Sequence, residues 1–128
     1  MALDFGSART GVAVSDPTGL IARPLCVVER AATDAGLAEL VRLVGDEEPE
    51  EVVVGHPITL RGERGEQARE TERFADSLRA LVDVPVVLFD ERFTTDLAQQ
   101  TPSETSVDAR AAAHLLSSYL AWSSGDPA

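Results

Sequence analysis

The sequence predicts a single α/β domain in which helices flank a mixed, five-stranded sheet. Three observations point there. Two apolar runs joined by a short glycine-bounded turn open the chain, two later runs are apolar at almost every position, and stripes of helical period separate and follow them. A length of 128 residues suits one core, and a hydrophobic share of 44% supplies it without cross-links.

In order, residues 2–6 and 11–14 read as a hairpin, and 15–19 form a turn cluster. Residues 25–29 are expected as an edge strand. Over 33–44, Leu37, Leu40, Val41 and Val44 recur at the helical spacing, with Thr33 or Asp34 as the cap. Residues 51–55 suit a strand buried on both faces, and a Gly/Pro/Arg loop covers 56–65. Thr71, Phe74, Ala75, Leu78, Leu81 and Val82 mark the next helix. Residues 85–89 repeat the buried-strand pattern and end in Asp90-Glu91-Arg92. A short helix is expected over 94–100, stopped by Pro102, and a last helix over 106–122, with Tyr119 and Trp122 in the core. The domain is thus assigned to 1–122 and a tail to 123–128.

Charge argues against a nucleic-acid partner: 22 acids against 11 bases, all of them arginine, give a net −11. The excess is local, because residues 34–51 hold seven of the acids and only Arg42. A lone Cys26 with His56 and His114 supports neither a disulfide nor a zinc site. No apolar run reaches the roughly 18 residues of a membrane span and no signal segment opens the chain, so a cytoplasmic protein is expected.

Open α/β sheets gather ligands at the carboxyl ends of their strands. Asp4 lies in the first strand, Asp90 and Glu91 end the last, and Asp108 opens the final helix on the same face as Ala112, Leu115, Tyr119 and Trp122. Carboxylates converging from separate elements suit hard divalent cations, and two such ions can promote phosphodiester cleavage. Each residue also has a plainer reading. Asp4 fits an Asx turn, Asp108 a helix N-terminal acid capped by Thr105, Asp90 to Arg92 an ion-paired strand end, and His56 a loop residue.

Several segments appear together and in order: Leu3-Asp4-Phe5-Gly6; residues 11–16; Val53-Val54-Gly55-His56-Pro57 with Gly62; Asp90-Glu91-Arg92-Phe93-Thr94-Thr95; and Val107-Asp108 with Ala111-Ala112 and Ser118-Tyr119-Leu120. This set resembles the YqgF family, also called RuvX, whose members are assigned to Holliday junction resolution and to 5′-end maturation of 16S ribosomal RNA. The resemblance implies a ribonuclease H-like fold and a hydrolase that cleaves phosphodiesters with Mg²⁺ or Mn²⁺. It places the catalytic, metal-binding triad on Asp4, Glu91 and Asp108, with Asp90 and Thr95 nearby. It also makes Arg9, Arg92 and Thr95 candidates for nucleic-acid contact. The implied partners are precursor rRNA or branched DNA, and ribosomal precursor particles.

Two departures stand out. His56 replaces the leucine usual between Gly and Pro, and residues 99–106 contain no base where relatives carry a longer basic segment. Loss of those bases predicts a weak or partner-assisted grip on phosphates. Two rivals follow, a noncatalytic nucleic-acid-associated domain of the same fold and a nucleotide-binding lobe of the sugar kinase and actin type. The second needs two lobes, and 128 residues supply one.

Overall fold

The chain enters its sheet at the centre. The computed structural model describes residues 1–59, 61–93 and 107–123. Its strands are β1 (Ala2–Asp4), β2 (Arg9–Ser15), β3 (Ala22–Glu29), β4 (Val52–His56) and β5 (Val86–Asp90), in the spatial order β3-β2-β1-β4-β5. β1, β4 and β5 run parallel, while β2 is antiparallel to both β1 and β3. The carboxyl ends of β1, β4 and β5 therefore meet the start of β2 along one edge of the sheet.

Side chains alternate across that sheet. Leu3, Val12, Val52 and Val54 pack under α1 (Asp34–Glu47) and α2 (Glu66–Arg79) through Leu37, Leu40, Phe74 and Leu78. Ala2, Ala13 and Val53 face α3 (Val107–Ser123) through Ala112, Leu115 and Leu116. Truncating Leu40 or Leu78, each fully buried, removes about 2–5 kcal/mol of stability. Thr33 caps α1, its hydroxyl oxygen accepting from the Gly36 N–H at 3.2 Å. The acids of residues 46–51 follow the other end of α1, just ahead of β4, and so lie at the pole away from the strand ends described above.

The mixed sheet and its helices match the expected architecture, with four differences. β3 begins at Ala22, three residues before the expected start. α2 stops at Arg79, whose guanidinium donates to the Val86 carbonyl at 2.7 and 3.2 Å and ties the helix end to β5. Leu81, expected on the buried stripe, is consequently exposed. β5 borders the sheet among the described residues, so Leu88 is partly exposed and the strand is not buried throughout. Tyr119 is in the core, but Trp122 is 63% exposed, flanking the Phe89 and Tyr119 rings at 5.8 Å instead of being enclosed. The expected helix over 94–100 lies outside the described residues, as do Thr95, Thr105 and 124–128 of the tail. Among the described residues no helix is long and apolar enough to cross a membrane.

Candidate active site

Alternation along β1 sets the direction of Asp4: Ala2 faces α3, Leu3 faces α1 and α2, and Asp4 returns to the α3 side. β5 ends at Asp90, and a 3₁₀ turn, Glu91–Phe93, brings Glu91 toward Asp4. Asp108, the second residue of α3, completes the group from the far side of β2.

Two glycines make this convergence possible. Asp4 pairs in register with Gly11, and a Cβ on Gly11 would stand 1.8 Å from the Asp108 carbonyl oxygen, so only glycine admits the start of α3. On β4, a Cβ on Gly55 would stand 2.5 Å from Glu91 Oε1, in the volume the carboxyl group fills. Neither requirement shows in residue spacing.

The carboxyl groups perturb one another. Burial, then the Asp108 charge, raise Asp4 above the usual carboxylate range, partly offset by a hydrogen bond from Glu91. Burial, then the Asp4 charge, push Glu91 up to about 7. Below about pH 7 the pair thus holds a proton on Glu91, whose O–H donates to Asp4. Asp108 turns one oxygen to Arg9, with Oδ2 3.3 Å from Nε. Asp90 is engaged elsewhere. Arg92 donates to it from Nη2 at 2.6 Å, from Nε at 2.9 Å and from its backbone N–H at 2.9 Å, which holds that carboxyl below its ordinary range. Of the two acids ending β5, Glu91 is therefore the one directed to Asp4.

This linkage has a measurable sign. The folded state holds the Glu91 proton more tightly than the unfolded chain, so its stabilising contribution is complete below about 4.5 and is lost as pH rises through about 7. The metal-free protein is expected to melt at lower temperature at pH 7.5 than at pH 5.5, with Mg²⁺ or Mn²⁺ reversing much of the loss. Differential scanning fluorimetry with EDTA and with each ion checks this. A melting temperature that is flat with pH and insensitive to both ions would contradict the reading.

The structure brings together Asp4, Glu91 and Asp108 and sets Arg9 and Arg92 beside them. Among the described residues, no group of three or more His, Cys, Asp or Glu side chains stands at metal-ligating geometry. Glu91 is bonded to Asp4, and Asp108 leans to Arg9. The donor set itself fits a hard divalent cation, being carboxylate oxygen brought from three elements, with two glycines admitting the start of α3 and the Glu91 carboxyl group. His56 takes no part in that group, since it points to the α2 side and bonds Glu72 at 2.7 Å. A cavity of about 590 Å³ lies at the opposite pole, lined by Met1, Asp16, Glu48, Glu51 and Tyr119, away from these carboxylates.

A profile of the RuvX family, described as Holliday junction resolvase, matches residues 1–122. A protein of Chloroflexus aurantiacus named "Putative pre-16S rRNA nuclease" is 40% identical over 94% of this chain and 84% of its own length. One of the same name from Maridesulfovibrio salexigens is 35% identical over 94% of this chain and 96% of its own. Among solved structures, Thermus thermophilus RuvC in complex with a Holliday junction substrate superposes with a TM-score of 0.60, covering 97% of this chain and 94% of that one at 18% identity. The fold is thus the ribonuclease H-like fold of RuvC. With these carboxylates at the strand ends and that match along almost its whole length, the chain belongs to the RuvX family.

Proposed function

We propose that this protein is a divalent-metal-dependent endonuclease acting in 5′-end maturation of precursor 16S rRNA, in the cytoplasm and on ribosomal precursor particles. The observation that carries the reading is the meeting of Asp4, Glu91 and Asp108, from three separate elements, at the edge where the parallel strands end. Asp4, Glu91 and Asp108 are the residues that would hold Mg²⁺ or Mn²⁺, which, when bound, supply activation of a water and charge stabilisation at the scissile phosphate.

The chain's own groups have definite parts. Asp4 is the central carboxylate, coupled electrostatically to both of the others. Glu91 must release the proton it shares with Asp4 before both can act as full charges, so activity rises through neutral pH. Arg9 meets Asp108 through Nε, at 3.3 Å, with the side chain 66% exposed. Its remaining donors are open to a phosphate oxygen. Arg92 is fixed on Asp90, which holds its guanidinium next to Glu91 instead of free in solvent.

Depleting the protein in its host and mapping 16S 5′ ends tests the assignment. Accumulated precursor that wild type but not Asp4→Asn clears supports maturation. Normal ends accompanied by defective recombination support a second reading, Holliday junction resolution, which the family description and the likeness to junction-bound RuvC favour. Normal ends and normal recombination support neither.

A further inference from the structure

The loop leaving β4 begins next to Glu91, and its tip lies against Arg92. His56, the last residue of β4, follows the glycine against which Glu91 packs and is in register with Asp90. The tip closes on itself. Gly62 N–H donates to the Thr59 carbonyl at 2.8 Å, Thr59 N–H to the Glu63 carbonyl at 3.0 Å, and Glu63 N–H to the Thr59 hydroxyl at 3.0 Å. Gly62 has φ +82°, a conformation that other residues adopt only with strain. A Cβ there would stand 3.6 Å from Arg92 Nη1, so the tip lies against the Arg92 guanidinium.

The other side of the loop is fastened to α2. Glu72 accepts from Arg64 Nε at 2.8 Å and lies 2.7 Å from His56 Nε2. The Arg64 hydrogen bonds keep Glu72 ionised, so Nε2 carries the hydrogen and donates. Arg64 and Arg92 are thus engaged with carboxylates as struts. Arg61, one residue before the glycine turn, is exposed and has no carboxylate partner among the described residues.

We propose that Arg61 contacts a backbone phosphate of the nucleic acid, and that His56, through Glu72 and Arg64, is the positioning residue that holds the loop for this contact. The inference rests on the nuclease reading for its ligand class, a phosphodiester chain. A guanidinium presented on a fastened loop loses less freedom on meeting a phosphate than one on a free tether. It also supplies grip that the base-free residues 99–106 do not. A leucine at position 56 would have no donor for Glu72.

The test is equilibrium binding of a fluorescein-labelled RNA spanning the 16S 5′ end, in EDTA so that it stays intact, across a series of KCl concentrations. Arg61→Gln is expected to reduce the slope of log K against log salt by about 0.7–0.9. Arg23→Gln, at the opposite end of β2 and β3, is expected to leave the slope as in wild type and so controls for net charge. His56→Leu is expected to reproduce the Arg61→Gln slope, to add nothing to it in the double variant, and to be rescued by His56→Gln, which keeps a donor. An Arg61→Gln slope equal to wild type overturns the contact. A His56→Leu slope equal to wild type, or equal loss in His56→Gln, overturns the positioning role. Reduced slopes in a protein that never cleaves with Mg²⁺ or Mn²⁺ keep the contact and sink the nuclease reading, while unreduced slopes in an active nuclease do the reverse. Absence of salt-dependent binding by wild type removes both.

Discussion

Asp4→Asn is expected to abolish metal-dependent cleavage while leaving the metal-free protein at least as stable as wild type at pH 7.5. Supporting residues around a metal ligand typically change affinity or activity by about 10- to 100-fold, and loss of the central ligand exceeds that. The stability half of the prediction comes from the crowding of the carboxylates. Asp4 is raised first by burial and then by Asp108, and it is the largest charge acting on Glu91. Removing its charge relieves both neighbours, and the isosteric amide still accepts the Glu91 proton. A misfolded variant loses activity and melting temperature together, whereas this one loses activity alone. Gel cleavage of a labelled precursor RNA and a thermal melt on the same sample decide it, and retained cleavage would falsify the triad.

Gly11→Ala is expected to be the most disruptive glycine-to-alanine change among the described residues. The added carbon would lie 1.8 Å from the Asp108 carbonyl carbon's oxygen and 2.3 Å from that carbon, both backbone atoms that cannot rotate away. Either β2 or the start of α3 must move. Overpacking of this kind removes about 3 kcal/mol, or roughly 10 °C in melting temperature for a domain of this size. The displaced end of α3 carries Asp108, so divalent-ion affinity falls as well. Gly45, inside α1 with nothing within 4 Å of its would-be Cβ, is the counterpart: Gly45→Ala adds about 1 kcal/mol. Melting curves and calorimetric titration of Mn²⁺ into all three proteins separate these outcomes.

Much of the fold was legible because its signals are local. The unbroken valines of β4 announced a strand covered on both faces, and the spacing of Leu37 and Leu40 announced the buried stripe of α1. Asp108 was legible through Ala112, Leu115 and Tyr119, which bury the face it belongs to. Errors fell where long-range contacts decide. Arg79 ends α2 by reaching Val86, so Leu81 is exposed despite its helical spacing. β3 begins at Ala22, earlier than expected, because a border strand tolerates Pro24, a residue that reads as a breaker in isolation. Spacing alone offered Asp90 and Glu91 equally, and the turn after β5 together with Arg92 separates them. The Glu72 partner of His56 had no local signal, since the two are 16 positions apart with a whole loop between them.

The acids that follow α1 give the molecule a front and a back. They crowd the pole from which β4 starts, whereas Arg9, Arg61, Arg64 and Arg92 cluster around the strand ends, and Arg30 joins them by donating its N–H to the Ala8 carbonyl. Net charge sets whether a polyanion attracts or repels from afar, but the separation of charge sets a torque. A polyanion within a Debye length, about 8 Å at physiological salt, is repelled most strongly from the pole where those acids lie. Five of the acids behind the net −11 therefore lie at the pole away from the candidate site, so the charge that opposes a nucleic-acid role is set apart from the edge where such a role would be played.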